Sequence, residues 1–180
     1  MRVALSRLGL GLGLLASLAS QACVPAKAEA PPPAVGVSVP ESARQIILFK
    51  YDSLDERPVS SEAQRGRPTV VAFVTTWDIG SQAQVDFLVA MAKNDGDKNN
   101  YLLVALQERT EREIVELYRT KLGVTFPVAL ADRETIAGGG PFGDVHNVPT
   151  VVILDRQGHI VWQKVGLAKS DELRAGMRGL

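Results

Sequence analysis

Arg67-Pro68-Thr69-Val70-Val71-Ala72-Phe73-Val74-Thr75-Thr76-Trp77-Asp78-Ile79-Gly80-Ser81 is the stretch whose reading decides the fold. Over residues 70–74 both alternating faces are apolar, the pattern of a strand buried between two layers rather than one half-exposed to water. The central strand of a sheet is expected there. The segment 78–81 can then cap a helix, because Asp and Ser side chains accept hydrogen bonds from the orphan amides of a first turn. Val85, Leu88, Val89 and Ala92 follow at i, i+3, i+4 and i+7, and Asn94-Asp95-Gly96 ends the run.

Working outward, residues 101–106 read as the next strand. Thr110-Glu111-Arg112-Glu113 fits a capping box at the start of a second helix. Ile114, Leu117, Tyr118 and Leu122 give that helix an apolar face, and Gly123 ends it. Residues 151–154 and 160–165 are β-rich runs on either side of Asp155-Arg156-Gln157-Gly158, so they predict an antiparallel hairpin. Ser170 should cap a last helix with Leu173, Met177 and Leu180 on one side. The order β-α-β-α-β-β-α implies a three-layer α/β/α sandwich with a mixed central sheet. Gly138-Gly139-Gly140-Pro141 reads as a loop, since no strand-to-helix context makes it a phosphate cradle.

The N-terminus carries a different kind of signal. Arg2 and Arg7 form a short positive region, residues 8–19 are an apolar stretch of 12, and Ser20-Gln21-Ala22 is a small-residue exit. Twelve residues fall short of the roughly 20 that a spanning helix needs, so residues 1–22 are expected to be a signal peptide rather than a permanent anchor. Cys23, the only cysteine of the chain, follows at once. Residues 23–41 are rich in Pro and Ala and should form an extended tether, leaving 42–180 as the folded domain.

Twenty Lys and Arg offset twenty Asp and Glu, and loss of Arg2 and Arg7 with the signal leaves a net charge of −2. Nothing in that balance favours nucleic acid or an anionic membrane surface. An exported chain with one cysteine also cannot build an internal disulfide.

Two resemblances add to this. Leu18-Ala19-Ser20-Gln21-Ala22-Cys23 resembles the box that ends bacterial lipoprotein signals, with Ser20 where Leu is usual, and implies Cys23 as lipid acceptor. Ordinary cleavage after Ala22, Ala28 or Ala30 is the alternative. The domain resembles thioredoxin-like proteins, in particular the TlpA-like exported thiol-disulfide reductases. The resemblance rests on Arg67-Pro68-Thr69, the apolar strand, Thr75-Thr76-Trp77, and Val148-Pro149-Thr150 ahead of a later strand. Val124-Thr125-Phe126-Pro127-Val128, the 153–158 run and the closing helix agree with it.

The family's W-C-x-x-C falls on Trp77-Asp78-Ile79-Gly80-Ser81, so Asp78 stands at the attacking cysteine and Ser81 at the resolving one. Neither a carboxylate nor a hydroxyl can form the mixed disulfide that exchange requires. Asp78 reads as a helix N-cap, and Ser81 would need His146 or His159 to arrive by folding before it could act as a nucleophile. The resemblance further implies a cis peptide at Val148-Pro149, whose exposed backbone, with Trp77, would form a groove for an extended peptide.

The expected function is therefore an exported, lipid-anchored, periplasm-facing module of the cell envelope that binds a protein or peptide partner. The alternative is an oxidoreductase relative whose enzymatic role does not depend on its own C-x-x-C. No cofactor and no metal are expected: the 95–106 segment fails the calcium-loop pattern at its sixth and twelfth positions, Asn100 and Leu106, and a soft-metal site lacks its cysteine pair. Trp162, Tyr118 and Phe73 are expected to pack.

Overall fold

The computed structural model describes residues 35–180. The signal peptide, Cys23 and most of the tether lie outside the described residues. The elements are β1 Val37–Ser38, β2 Lys50–Ser53, β3 Val59–Ser60, α1 Ser61–Gln64, β4 Thr69–Val74, α2 Ile79–Asp95, β5 Asn100–Ala105, α3 Arg112–Lys121, β6 Val128–Leu130, α4 Arg133–Ile136, β7 Thr150–Leu154, β8 Ile160–Val165 and α5 Ser170–Gly176. The strands form one mixed sheet in the order β1-β8-β7-β4-β5-β6-β2-β3.

β4 lies inside that sheet, parallel to β5 and antiparallel to β7, and every one of its residues is buried. Its alternation explains why both faces had to be apolar. Val70, Ala72 and Val74 enter a core built with Val85, Leu88 and Met91 of α2, Val115 of α3 and Leu173 of α5. Val71 and Phe73 enter the core on the other face, where Phe49, Tyr51, Phe142 and Val145 pack. The ring centroids of Phe73 and Phe49 lie 5.0 and 5.2 Å from that of Phe142. This second layer is thin, built from α4, the segment 137–147 and the extended run through residues 46–49 rather than from long helices.

Several local expectations shift. Four strands were legible in the sequence, and β1, β2, β3 and β6 join them. These strands are two to four residues long, and β2 reads Lys-Tyr-Asp-Ser, so neither length nor alternation marks them. Val37 and Ser38 pair with Gln163 and Trp162, which draws the domain boundary back from residue 42 into the segment read as tether. Gly36 makes the approach possible: a Cβ there would lie 2.1 Å from Cζ2 of Trp162.

The capping box before α3 is formed two residues earlier than Thr110, with the Glu111 carboxylate accepting the Glu108 N–H at 3.3 Å. The buried stripe of α3 is likewise Val115 with Tyr118 and Leu122, and Ile114 and Leu117 are exposed. Ser170 is the first residue of α5 rather than its cap, and Glu172 accepts the Lys169 N–H at 2.9 Å. The Asp95 carboxylate accepts from Asn99, Tyr101 and Arg174.

Candidate functional site

The site is assembled at the C-terminal end of β4. The chain leaves the sheet through Thr75 and Thr76 and re-enters order at α2, so the first turn of a 17-residue helix faces the end of the central strand. Asp78 is the N-cap, and its Oδ2 accepts the Ser81 N–H at 2.5 Å. Ser81 is fully buried, and its Oγ accepts the Thr75 N–H at 3.3 Å. Both hydrogen bonds knit the strand-to-helix turn together. A hydroxyl without exposure has no access to a substrate.

The two histidines do not reach this turn. His146 bonds Asp144 at 2.7 Å within its own loop, and His159 bonds Asp155 at 2.9 Å in the β7–β8 turn. The latter lies at the opposite end of the sheet, since Leu154 pairs with Thr69 at the start of β4. Among the described residues neither histidine ring hydrogen-bonds a serine. Among the described residues no group of three or more metal-ligating side chains converges.

Pro149 does come to the helix end. The Val148–Pro149 peptide is cis, and Gly80 packs so close that a Cβ there would lie 3.2 Å from Pro149 Cδ and 3.1 Å from Asp78 Oδ2. Pro149 is buried and its carbonyl accepts the Gly166 N–H at 2.7 Å, tying the loop to the end of β8. Val148 is half-buried, and neither its N–H nor its C=O has a hydrogen-bond partner among the described residues. On either side of Asp78 in the turn, Trp77 is 67 % and Ile79 84 % exposed. Large apolar side chains left in water are unusual enough on a folded domain to mark a candidate surface.

Two other residues, Gln107 and Gln84, carried no signal in the sequence, and Tyr118 was legible only as a packing residue. Gln107, buried at the end of β5, accepts the Thr76 N–H through Oε1 at 3.2 Å. Gln84 holds α2 to the approach of α5 by accepting the Ala168 N–H at 2.7 Å and donating to its carbonyl at 3.1 Å. Tyr118 of α3 lies near enough to feel Asp86 and Asp78: burial first, and then those two charges, push its phenol up to about 12. Its hydroxyl is buried without a partner. Only the contacts between elements reveal these roles.

The same mixed sheet with its helices is shared by a group of solved structures. A DsbF homologue from Corynebacterium diphtheriae superposes with a TM-score of 0.69 at 19 % identity, covering 84 % of this chain and 97 % of that one. The fold is thioredoxin-like. A secreted thiol-disulfide isomerase from Corynebacterium glutamicum matches the thioredoxin-like domain with a TM-score of 0.67 at 16 % identity, over 82 % and 92 % of the two chains. A thiol:disulfide interchange protein of the thioredoxin family from Chlorobium tepidum gives 0.63 at 21 % identity, over 84 % and 97 %. No protein-family model matches the chain, and no curated protein is significantly similar to it. The thioredoxin-like domain itself contains no cysteine, because the single one of the chain is Cys23.

Proposed function

We propose that this chain is an exported, lipid-anchored module of the cell envelope that has no dithiol chemistry and works by binding an extended segment of a protein partner. The observation that carries the reading is the close approach of Gly80 to Pro149, which brings the loop holding Val148, unpaired at N–H and C=O among the described residues, to the turn that carries the exposed Trp77. An extended chain can complete that peptide unit by strand addition, while its side chains meet Trp77 and Ile79. The groove needs no sulfur. The helix end is stabilised from within by Asp78, so the change that removes the reaction also supplies the cap.

Export and anchoring rest on the leader and on Cys23 as lipid acceptor. Among the described residues no helix is long and apolar enough to cross a membrane. Intact mass of membrane-extracted protein tests the anchor directly, since a diacylglyceryl adduct shifts it unmistakably. The groove is tested by crosslinking in native membranes with wild type, Trp77→Ala and Pro149→Ala. Loss of shared crosslinked products in both variants is expected, and identical products in all three would overturn the groove. Insulin reduction above a cysteine-free control would overturn the redox-silent part.

A further inference from the structure

Asp78 stands where the helix end meets the cis-proline loop. A Cβ on Gly80 would lie 3.1 Å from Asp78 Oδ2 and 3.2 Å from Pro149 Cδ, so the carboxylate and the proline ring border the same point. Oδ2 accepts the Ser81 N–H. Among the described residues Oδ1 has no hydrogen-bond partner and the carboxylate makes no ion pair. The side chain is half-buried, in a turn whose Trp77 and Ile79 are largely exposed.

The balance of charge at this end is negative. A helix N-terminus carries about +0.5 elementary charge, half the size of the −1 on a carboxylate, so the cap outweighs the helix it stabilises. Asp86, exposed on α2 and without an ion pair among the described residues, adds to it. Asp86 and Asp78 both act on the phenol of Tyr118, so both carboxylates lie on the side of α2 that α3 approaches. Lys164 of β8, level with Val151, does not answer them, being paired with Glu172 at 2.6 Å. An exposed indole next in the chain to a carboxylate with a spare oxygen suits a cation: the ring face attracts a guanidinium or ammonium, and the oxygen accepts its N–H.

We infer that Asp78, at the position that resembles the attacking cysteine, selects the partner: the extended segment taken by the groove carries an Arg or Lys side chain flanked by apolar residues, and an acidic side chain at the same place is rejected. The inference rests on the groove reading above and adds the chemistry of the partner. Capping and recognition use different oxygens of one carboxylate, which makes them separable. Asp78→Asn keeps an acceptor for the Ser81 N–H and loses the charge.

The test follows the fluorescence anisotropy of labelled, end-capped peptides Thr-Val-Xaa-Val-Thr, with Xaa as Arg, norleucine or Glu, titrated with the full chain in a nonionic detergent. Wild type should bind the Arg peptide about tenfold more tightly than the Glu peptide, with norleucine between them. Asp78→Asn should bring the Arg and Glu peptides to within about twofold of each other, while its urea midpoint stays near that of wild type. Trp77→Ala should weaken all three. Equal affinity for the Arg and Glu peptides in wild type, or a preference that survives in Asp78→Asn, would overturn the inference and leave the groove standing where Trp77→Ala still weakens binding. Absence of any Trp77-dependent binding would overturn the groove reading and this inference with it.

Discussion

Asp78 Oδ2 accepts the backbone N–H of Ser81 at 2.5 Å, and the Ser81 Oγ in turn accepts the N–H of Thr75 at 3.3 Å. The two positions that resemble the sulfur pair of a reductase are thus joined in one strand-to-helix turn. A carboxylate there also meets the partial positive charge of the helix N-terminus. The consequences are thermodynamic and can be measured.

Asp78→Ala removes the cap and should cost about 0.5–2 kcal/mol in urea unfolding, whereas Asp78→Asn, which keeps an acceptor, should recover most of it. Equal stability of the alanine variant and wild type would show that the cap is idle.

Gln84→Leu leaves the Ala168 N–H and C=O buried without a partner. Each orphaned group costs about 1–3 kcal/mol, so a large drop in the denaturation midpoint is expected from a substitution of similar volume. A midpoint within error of wild type would mean that the α5 approach finds other partners.

Gly36→Val forces the edge strand away from Trp162, because the added Cβ would sit 2.1 Å from the indole. The chain has two tryptophans, so the measurement belongs in a Trp77→Phe background. Emission from Trp162 should move to the red with far-UV circular dichroism retained. Unchanged emission contradicts the packing of residues 36–39 over the ring.

Asp55 links the β2–β3 turn to α3. Hydrogen bonds from Arg57, with Arg119 adding another, hold its carboxyl far below the usual carboxylate range. A folded value below the unfolded one, about 3.9, means that the contribution is complete above that pH and is lost as pH falls towards the folded value. Asp55→Asn should therefore be less stable than wild type at pH 7, with the gap closing below about pH 4. A gap that stays constant into acid would falsify the assignment.

Local sequence carried much of this architecture and almost none of its closure. The β4–α2 unit is readable because strand, cap and helix face are contiguous, and the 150–165 hairpin because its turn ends in Gly158. α3 shows the limit. Its helical period is clear, yet the periodic stripe through Ile114 and Leu117 is exposed while Val115 is buried, because the rotation of a helix about its axis is set by what it packs against.

By itself the sequence determined that the domain contains no thiol, that β4 is buried on both faces, and that Asp78 opens the helix following it. Those are properties of residue identity and of neighbours along the chain. The tertiary structure decided that Ser81 is inaccessible, that Gly80 meets Pro149, and that Val148 keeps an unpaired peptide unit among the described residues. Each depends on pairing between segments tens of residues apart, where burial and hydrogen bonding are settled by the partner and not by the segment.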